Sequence, residues 1–255
     1  MNLAELDKAW AAIGVPAQLV ALGGRADLAW CVERAGEGRW ERESLREDPV
    51  IDDFPSEYRR TVRTWYEWQS FYLRSRGRVP GDEGRTPAKW KTVGEVFWGA
   101  DPPRVQDGIF TFGSAAGDLK YFVVAEAEAF FIDVDERGSR ERYWMFSQFD
   151  DLEKYLLFMI SQTALTDASG GSLRARWQRE GVDQRVTLSQ PDPENSPGRM
   201  SITVKGERVP RCWMGRGDAI AFSHGIVMSY EQIDRLVSEG LSRDGFQGNG
   251  GAEGH

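Results

Sequence analysis

Histidine is scarce in this chain of 255 residues, which contains only His224 and His255. A Ser-His-Asp or Cys-His arrangement needs an imidazole base, and His224, in the sequence FSHG, is the one candidate outside the C-terminal tail. No GxSxG motif accompanies it. We therefore interpret His224 as a turn histidine near the end of a strand and predict no catalytic residues of this type.

Cysteine is equally scarce, with Cys31 and Cys212 alone. Neither lies in a CxxC motif or at metal-ligand spacing, so the sequence predicts no metal site. Both lie in apolar, strand-like surroundings, which favours buried free thiols in a reducing compartment. A single disulfide between them is the alternative.

Long apolar runs and a basic N-terminal region are also missing. No run approaches the roughly 18 residues that span a bilayer, and the first ten residues, MNLAELDKAW, carry acidic groups where a signal peptide is basic. We therefore expect a cytoplasmic protein that has no membrane segment.

Positive charge is in deficit as well. The net charge is -8 and the pI is about 5.0, which argues against a general nucleic-acid binder because phosphate contacts need a concentrated basic face. An acidic protein suits a basic partner, although solubility alone explains the charge equally well. The phosphate-binding motifs GxGxxG and GxxxxGK[ST] do not occur, so we predict no nucleotide cofactor.

Alternating apolar residues dominate the chain from Gly108 onward and predict an α+β fold with antiparallel β-sheets flanked by amphipathic helices. Asp150 and Glu153 form a capping pair at the start of the helix predicted from residue 150. Ser229 and Gln232 form a capping box before a last helix, which we expect to stop at Gly240. The predicted strands are 27–34, a return strand that begins at Trp40, 109–112, 119–125, 129–134, 141–146, 185–189, 200–204 and 209–213. The predicted helices are 3–13, 55–75, 150–164 and 230–240.

Four segments follow from these elements. Residues 1–78 form an N-terminal αββα module, 79–107 a linker rich in Gly and Pro that contains a packed segment, 108–241 a C-terminal α+β domain, and 242–255 a disordered tail. Aligned residue types allow the two halves to be related, since Asp27, Leu28, Trp30, Val32 and Trp40 repeat the spacing of Asp118, Leu119, Tyr121, Val123 and Phe131. Opposite charge also divides the first module, because residues 41–57 sum to -5 and residues 58–78 to +5, so we expect the two blocks to pair.

Three carboxylates, Asp133, Asp135 and Glu136, end an apolar strand and lead into a turn that contains Arg137. A solvated turn is one interpretation. The other is a rigid hairpin tip that offers negative charge to a basic cleft on a partner, a geometry that raises the association rate and the specificity. Catalysis by these carboxylates is a further alternative, although exposed turns seldom separate two pKa values as acid-base chemistry requires.

Two tryptophans in the Pro- and Gly-rich segment, Trp90 and Trp98, are harder to bury than those of the helical stripe in 55–75. Tryptophan is common among the residues that dominate binding energy at interfaces. We therefore add Trp90 and Trp98 to the candidate partner-binding residues, next to Asp133, Asp135, Glu136 and Arg137.

The sequence DERGSRERYWMFSQFDDLEKYLLFMI resembles immunity proteins of polymorphic toxin systems, in particular the immunity factors of necrotizing NAD-glycohydrolase toxins. The resemblance extends over residues 118–240, and residues 6–41 are similar to a second module of the same gene neighbourhoods, whose usual ERG turn reads RESLRE here. The matching residues are Glu136, Arg137, Gly138, Phe146, Ser147, Asp150, Asp151, Glu153, Lys154, Tyr155, Leu156 and Leu157.

This resemblance implies a cytoplasmic antitoxin that occludes the active site of a cognate secreted toxin and has no catalytic activity. The sequence leaves the oligomeric state open. A cytoplasmic chaperone or adaptor for a secretion substrate is the alternative, because the same acidic, aromatic-rich composition suits it.

Overall fold

The computed structural model describes residues 32–33, 40–41, 49–76, 78, 98–165, 172–191 and 198–243. The predicted helix 3–13, Trp90 and nearly all of the predicted tail lie outside these residues. The predicted N-terminal hairpin is present in part, where β1 (Val32–Glu33) pairs antiparallel with β2 (Trp40–Glu41).

An eight-stranded antiparallel sheet forms the centre of the fold, in the order β3-β4-β5-β6-β7-β10-β9-β8. Hairpins join neighbouring strands from β3 to β7, and β10 then pairs with β7 to extend the sheet. The strands are β3 (Arg104–Gln106), β4 (Ile109–Gly113), β5 (Lys120–Glu126), β6 (Ala129–Glu136), β7 (Ser139–Phe146), β8 (Val186–Ser189), β9 (Arg199–Val204) and β10 (Cys212–Gly215).

Six helices lie in the described part of the chain, and the longer ones pack on one face of the sheet. Their bounds are α1 (Pro49–Asp52), α2 (Arg59–Ser75), α3 (Phe149–Leu165), α4 (Leu173–Glu180), α5 (Arg216–Gly225) and α6 (Tyr230–Arg243). With the sheet, they confirm the predicted α+β class.

The core lies between this helical layer and the inner face of the sheet. Burial alternates along β5, where Tyr121 and Val123 are buried, and Ile132 of the neighbouring β6 belongs to the same core cluster. The aromatic stripe predicted for 55–75 is buried as expected, and the ring of Tyr58 stacks on Phe110 at 4.7 Å between centroids. Helix α2 belongs to the predicted N-terminal module, and it shares this core with the C-terminal sheet. The domain boundary at residue 78 stays a prediction.

Several element bounds differ from the predictions, each for a local reason. Strand β3 lies within the segment that was predicted as a linker. Its three residues are all exposed and show no alternation, so no strand was predicted there. Helix α4 buries only Leu173 and Trp177, too few to give a helical period, and helix α5 occupies the stretch that was interpreted as strand end and turn. The strand predicted at 209–213 is Cys212–Gly215, and α6 continues through Gly240 to Arg243, since a helix tolerates one interior glycine at a cost of about 1 kcal/mol.

Capping predictions had two outcomes. The box before α6 is confirmed, because the Ser229 backbone N–H donates to Gln232 Oε1 at 2.8 Å and the Gln232 N–H donates to Ser229 Oγ at 3.3 Å. The capping pair predicted from Asp150 and Glu153 instead lies inside α3, where both carboxylates contact Arg60 of helix α2. The ion pair between α2 and α3 thus takes the place of the predicted capping hydrogen bond.

Candidate functional site

A tight two-residue turn joins β6 to β7 and forms the tip of the predicted hairpin. Arg137 and Gly138 both have positive φ, 57° and 86°, as a type I′ turn requires. Asp135 Oδ1 accepts a hydrogen bond from the Gly138 N–H at 2.8 Å and so fixes the turn from the side. Glu136 and Arg137 are consequently held at the tip with their side chains exposed.

Asp133 is separated from this tip and lies within the sheet. Only 8% of the residue is exposed, because Arg140 donates to Oδ2 through Nε and Nη2 at 3.1 and 2.9 Å, and Arg142 Nε donates to Oδ1 at 3.2 Å. A register shift in the β6–β7 ladder at Ile132 and Asp133 brings Arg142 opposite the carboxylate. Asp133 is therefore an ion-paired residue inside β6, whereas the sequence analysis grouped it with Asp135 and Glu136 at the end of the strand, as part of a solvated turn or a hairpin tip.

A second carboxylate joins this cluster from β5. Arg142 donates to Glu126 through Nη1 at 3.1 Å and Nη2 at 2.5 Å, which is a bidentate pair. These hydrogen bonds lower the pKa of Glu126 and raise the pKa of Arg142. Both groups stay charged at neutral pH, and their ion pair holds the Arg142 guanidinium flat on the sheet.

The outer face of the sheet, opposite the helical layer, carries arginines stacked on aromatic rings. Arg140 lies 4.1 Å from the ring centre of Phe122, and Arg142 lies 3.8 Å from that of Phe131. We define the outer face by ten residues of β5, β6, β7, β9 and β10, namely Phe122, Val124, Glu126, Phe131, Asp133, Arg140, Arg142, Tyr143, Arg199 and Trp213.

Arg199 completes this row from β9. Strand β10 pairs with β7 only at Met145 and Phe146, which leaves the β7 edge open beyond them. Arg199 Nη2 donates to the backbone carbonyl of Arg142 at 2.8 Å, and Nη1 donates to that of Tyr143. Its guanidinium lies 5.3 Å from the Tyr143 ring and 5.2 Å from the ring of Trp213.

An open pocket of about 630 Å³ lies at the end of the sheet next to the hairpin tip. It brings together three of the residues singled out in the sequence, since Trp98, Asp135 and Arg137 all line it. Lys120 Nζ and Asp101 Oδ2 lie 3.5 Å apart at its wall. Its lining of mixed charge offers hydrogen bonds and ion pairs, and it adjoins the outer face through β5 and β6.

The sequence matches the family described as Immunity protein 61 over residues 93–240, which is more than half of the chain. The chain belongs to the immunity protein 61 family. Among solved structures, it is similar to Rv3902c from M. tuberculosis, with 14% identity and a TM-score of 0.43 over 58% of this chain and 88% of that one. No curated protein matches the sequence.

In this family member Trp98 is a core residue. It is 2% exposed, and its ring packs edge-on against Tyr66 and Trp65 at centroid distances of 4.9 and 6.1 Å. The expectation that Trp98 resists burial is wrong, because the aromatic stripe of α2 offers it a site inside the protein. Trp90, its predicted companion, lies outside the described residues.

His224 lies in the last turn of α5, and not in a turn at a strand end. Its ring stacks on Trp177 at 5.5 Å and 11°, and Nε2 forms a 2.8 Å hydrogen bond with the Gly181 carbonyl. The adjacent serine is also engaged, since Ser223 Oγ donates to the Ile220 carbonyl at 2.7 Å. These contacts give His224 a structural role between α4 and α5.

Among the described residues, no group of three or more His, Cys, Asp and Glu side chains is placed to hold a metal ion. No described helix is long and apolar enough to cross a bilayer.

Sequence reasoning missed the outer face. The candidate partner-binding residues predicted from the sequence did not include its aromatic and arginine residues, such as Phe122, Phe131, Arg199 and Trp213. A signal was present in β5, where Tyr121 and Phe122 are adjacent, so that one ring of the pair must face away from the core. Aromatic residues at outward strand positions are the pattern that predicts such a face.

Proposed function

We propose that this chain is a cytoplasmic immunity protein that binds a cognate secreted toxin, occludes its active site and has no catalytic activity of its own. Membership of the immunity protein 61 family carries the proposal. The matched residues 93–240 contain all eight strands of the main sheet and helices α3, α4 and α5. The alternative of a secretion chaperone or adaptor has no such family match behind it.

The proposed toxin class is an NAD-glycohydrolase. Its support is the resemblance of the β6 to α3 segment to the immunity factors of such toxins, including the ERG turn at Glu136–Gly138 and the helix start at Asp150 and Asp151. The ERG turn has a physical function, since Arg137 and Gly138 build the tight turn that presents Glu136. A rigid tip of this kind enters a cleft at little entropic cost.

The proposed contact region is the hairpin from Asp133 to Arg137. Glu136 and Arg137 are exposed at its tip, Asp135 fixes the turn, and Asp133 orders the two arginines behind it. Charged groups at such a tip steer the approach of a partner, while the buried contacts of the complex set its lifetime. Trp90 remains a candidate from the sequence alone.

Inhibition of a purified toxin tests the proposal. The catalytic domain of the toxin encoded beside this chain's gene is mixed with a stoichiometric excess of the full chain, and NAD hydrolysis is followed. We expect the activity to be lost at one equivalent. If the activity of every neighbouring toxin is unchanged, the immunity function fails; if a toxin of another chemistry is inhibited, only the NAD-glycohydrolase class fails.

The same experiment separates the chaperone alternative. A chaperone binds its client without covering the active site, so it leaves the activity of the bound toxin intact and raises the amount that is secreted. Binding without inhibition would therefore favour the chaperone, and inhibition by one equivalent would exclude it as the main role.

A further inference from the structure

We infer that the outer face is the docking surface for the toxin, and that the toxin segment seated on it is acidic, with carboxylates flanked by apolar side chains. The inference rests on the proposed immunity function and names the chemistry of its partner. It extends the contact region from the hairpin tip to the middle of the sheet.

The outer face has the residue composition of a protein interface. The described helices bury the opposite face, whereas Phe122, Phe131 and Trp213 on the outer face are only partly buried. Partly exposed aromatic rings next to arginines are the residue types that dominate binding energy in protein interfaces. Small polar residues border them, with Thr111 on β4 and Thr203 on β9, as in the polar rim of an interface.

The arginines of the outer face are preorganised for binding. Arg140 and Arg142 are each held by a ring below and by Asp133 at the side, and Arg199 is held by two backbone carbonyls. Binding usually restricts the many rotamers of an arginine, and each such side chain then loses conformational entropy. Here that freedom is already restricted in the unbound chain, so a partner meets guanidinium groups fixed in place.

The arginine cluster of the outer face carries a surplus of positive charge. The three arginines contribute +3, and the two carboxylates that contact them, Glu126 and Asp133, contribute -2, so the cluster sums to +1 in a chain of net charge -8. Within the described residues no carboxylate lies within ion-pair distance of Arg199, whose hydrogen bonds go to neutral carbonyls. A carboxylate of the partner would supply the missing counter-charge through a charge-assisted hydrogen bond.

The same charges disfavour two other occupants. A second copy of this chain would bring the patch against itself around a two-fold axis, so that surplus positive charge would face surplus positive charge. Single-stranded nucleic acid also stacks on aromatic and arginine platforms, but Glu126 and Asp133 lie among the rings and would repel phosphates.

Charge reversal on the outer face tests the inference. We would measure the Kd of the adjacent-gene toxin domain for the full chain and for Arg199→Glu and Arg140→Glu. Matched controls are Arg63→Glu on α2 and Arg235→Glu on α6, two exposed arginines of the helical layer. We expect a loss of about 30-fold or more for each outer-face variant, the size of an interface hot spot, and less than about 2-fold for the controls.

A folding control and a charge-swap test on the toxin accompany these measurements. Thermal unfolding of each variant verifies the fold, and Arg140→Gln removes charge from an exposed position should Arg199→Glu fail to fold. To test for carboxylates, exposed Asp and Glu residues of the toxin are changed to Lys one at a time. Restoration of the affinity of Arg199→Glu by one such toxin variant would identify the pairing carboxylate.

The outcomes separate the inference from the function it rests on. If the wild-type chain neither binds nor inhibits the toxin, both fall. If the wild type inhibits and the outer-face variants inhibit with unchanged Kd, the docking surface is wrong and the immunity function stands. Binding of a labelled single-stranded DNA of about 20 nucleotides that is lost in Arg199→Glu would instead assign the face to nucleic acid. A change in the oligomeric state of the chain alone in that variant would assign the face to a second copy.

Discussion

Arg60 stacks on Tyr230, with its guanidinium carbon 4.0 Å from the ring centre, and so joins the first long helix of the described chain to the last. Its Nε donates to Glu153 of helix α3 at 2.9 Å, and its Nη1 lies 3.5 Å from Glu231. The basic block 58–78 thus contacts helices α3 and α6 as well as the acidic block beside it, where Arg59 pairs with Asp52 at 3.3 Å.

Removal of the Arg60 side chain should destabilise the fold. Glu153 has a side chain that is only 5% exposed, so Arg60→Ala leaves a buried carboxylate without its main partner. Because Arg60 itself is 41% exposed, we expect a loss of about 2 kcal/mol, less than the value for a fully buried pair. Urea denaturation measures this difference. Arg63→Ala, at an exposed position of the same helix, is the control, and equal midpoints for the two variants would contradict the prediction.

Trp98 should behave as a core residue in mutagenesis. Trp98→Ala removes a buried indole from the cluster with Trp65 and Tyr66, and we expect it to lower the free energy of unfolding by about 3–5 kcal/mol. Trp98→Phe, which keeps an aromatic ring, should bind the toxin within about 2-fold of wild type once its fold is verified. A much weaker complex for this stable variant would indicate that Trp98 contacts the toxin.

At the hairpin tip, a single substitution should raise the stability of the chain and weaken its complex with the toxin. Arg137 has a φ of 57°, a conformation that asparagine adopts at lower cost, so Arg137→Asn should stabilise the chain by about 0.5 kcal/mol. If Arg137 contacts the toxin, as we propose, the same variant should weaken the complex. Thermal unfolding and titration with the toxin domain measure the two effects. Asp107→Asn, which alters the equivalent position of the β3–β4 turn, is the control and should leave the affinity unchanged.

The elements that the sequence predicted well are those whose side chains alternate between core and solvent. Strand β5 buries Tyr121 and Val123 on one side, so its period was visible, and its predicted and observed bounds differ by one residue at each end. Helix α4 was not visible, because Leu173 and Trp177 are its only buried residues and a single helical repeat gives no pattern. The periodicity of apolar residues along the sequence reflects their burial. Elements with few buried residues are therefore not predicted from it.

The candidate site was predictable to a smaller extent, because distant strands assemble it. The turn at Arg137 and Gly138 could be read locally, and it is where the sequence placed it. The pairing of Asp133 with Arg142 depends on a register shift between β6 and β7, and the position of Arg199 depends on where β10 ends beside β7. Neither property is encoded in a short stretch of sequence.

The cluster around Asp183 should make stability depend on acid pH. Hydrogen bonds from Arg185, at 2.9 Å from Nε and 2.8 Å from Nη2, lower the pKa of Asp183 from 3.8 to about 2. Because the folded-state pKa lies below the unfolded value, the contribution is fully present above pH 3.8 and is lost as the pH falls towards 2. Asp183→Asn lacks this carboxylate, so wild type should exceed it by about 1–2 kcal/mol near pH 6, and the gap should close near pH 2. Urea denaturation of both proteins across this range measures the gap; a difference that stays constant down to pH 2 would show that the ion pair with Arg185 does not favour the folded state.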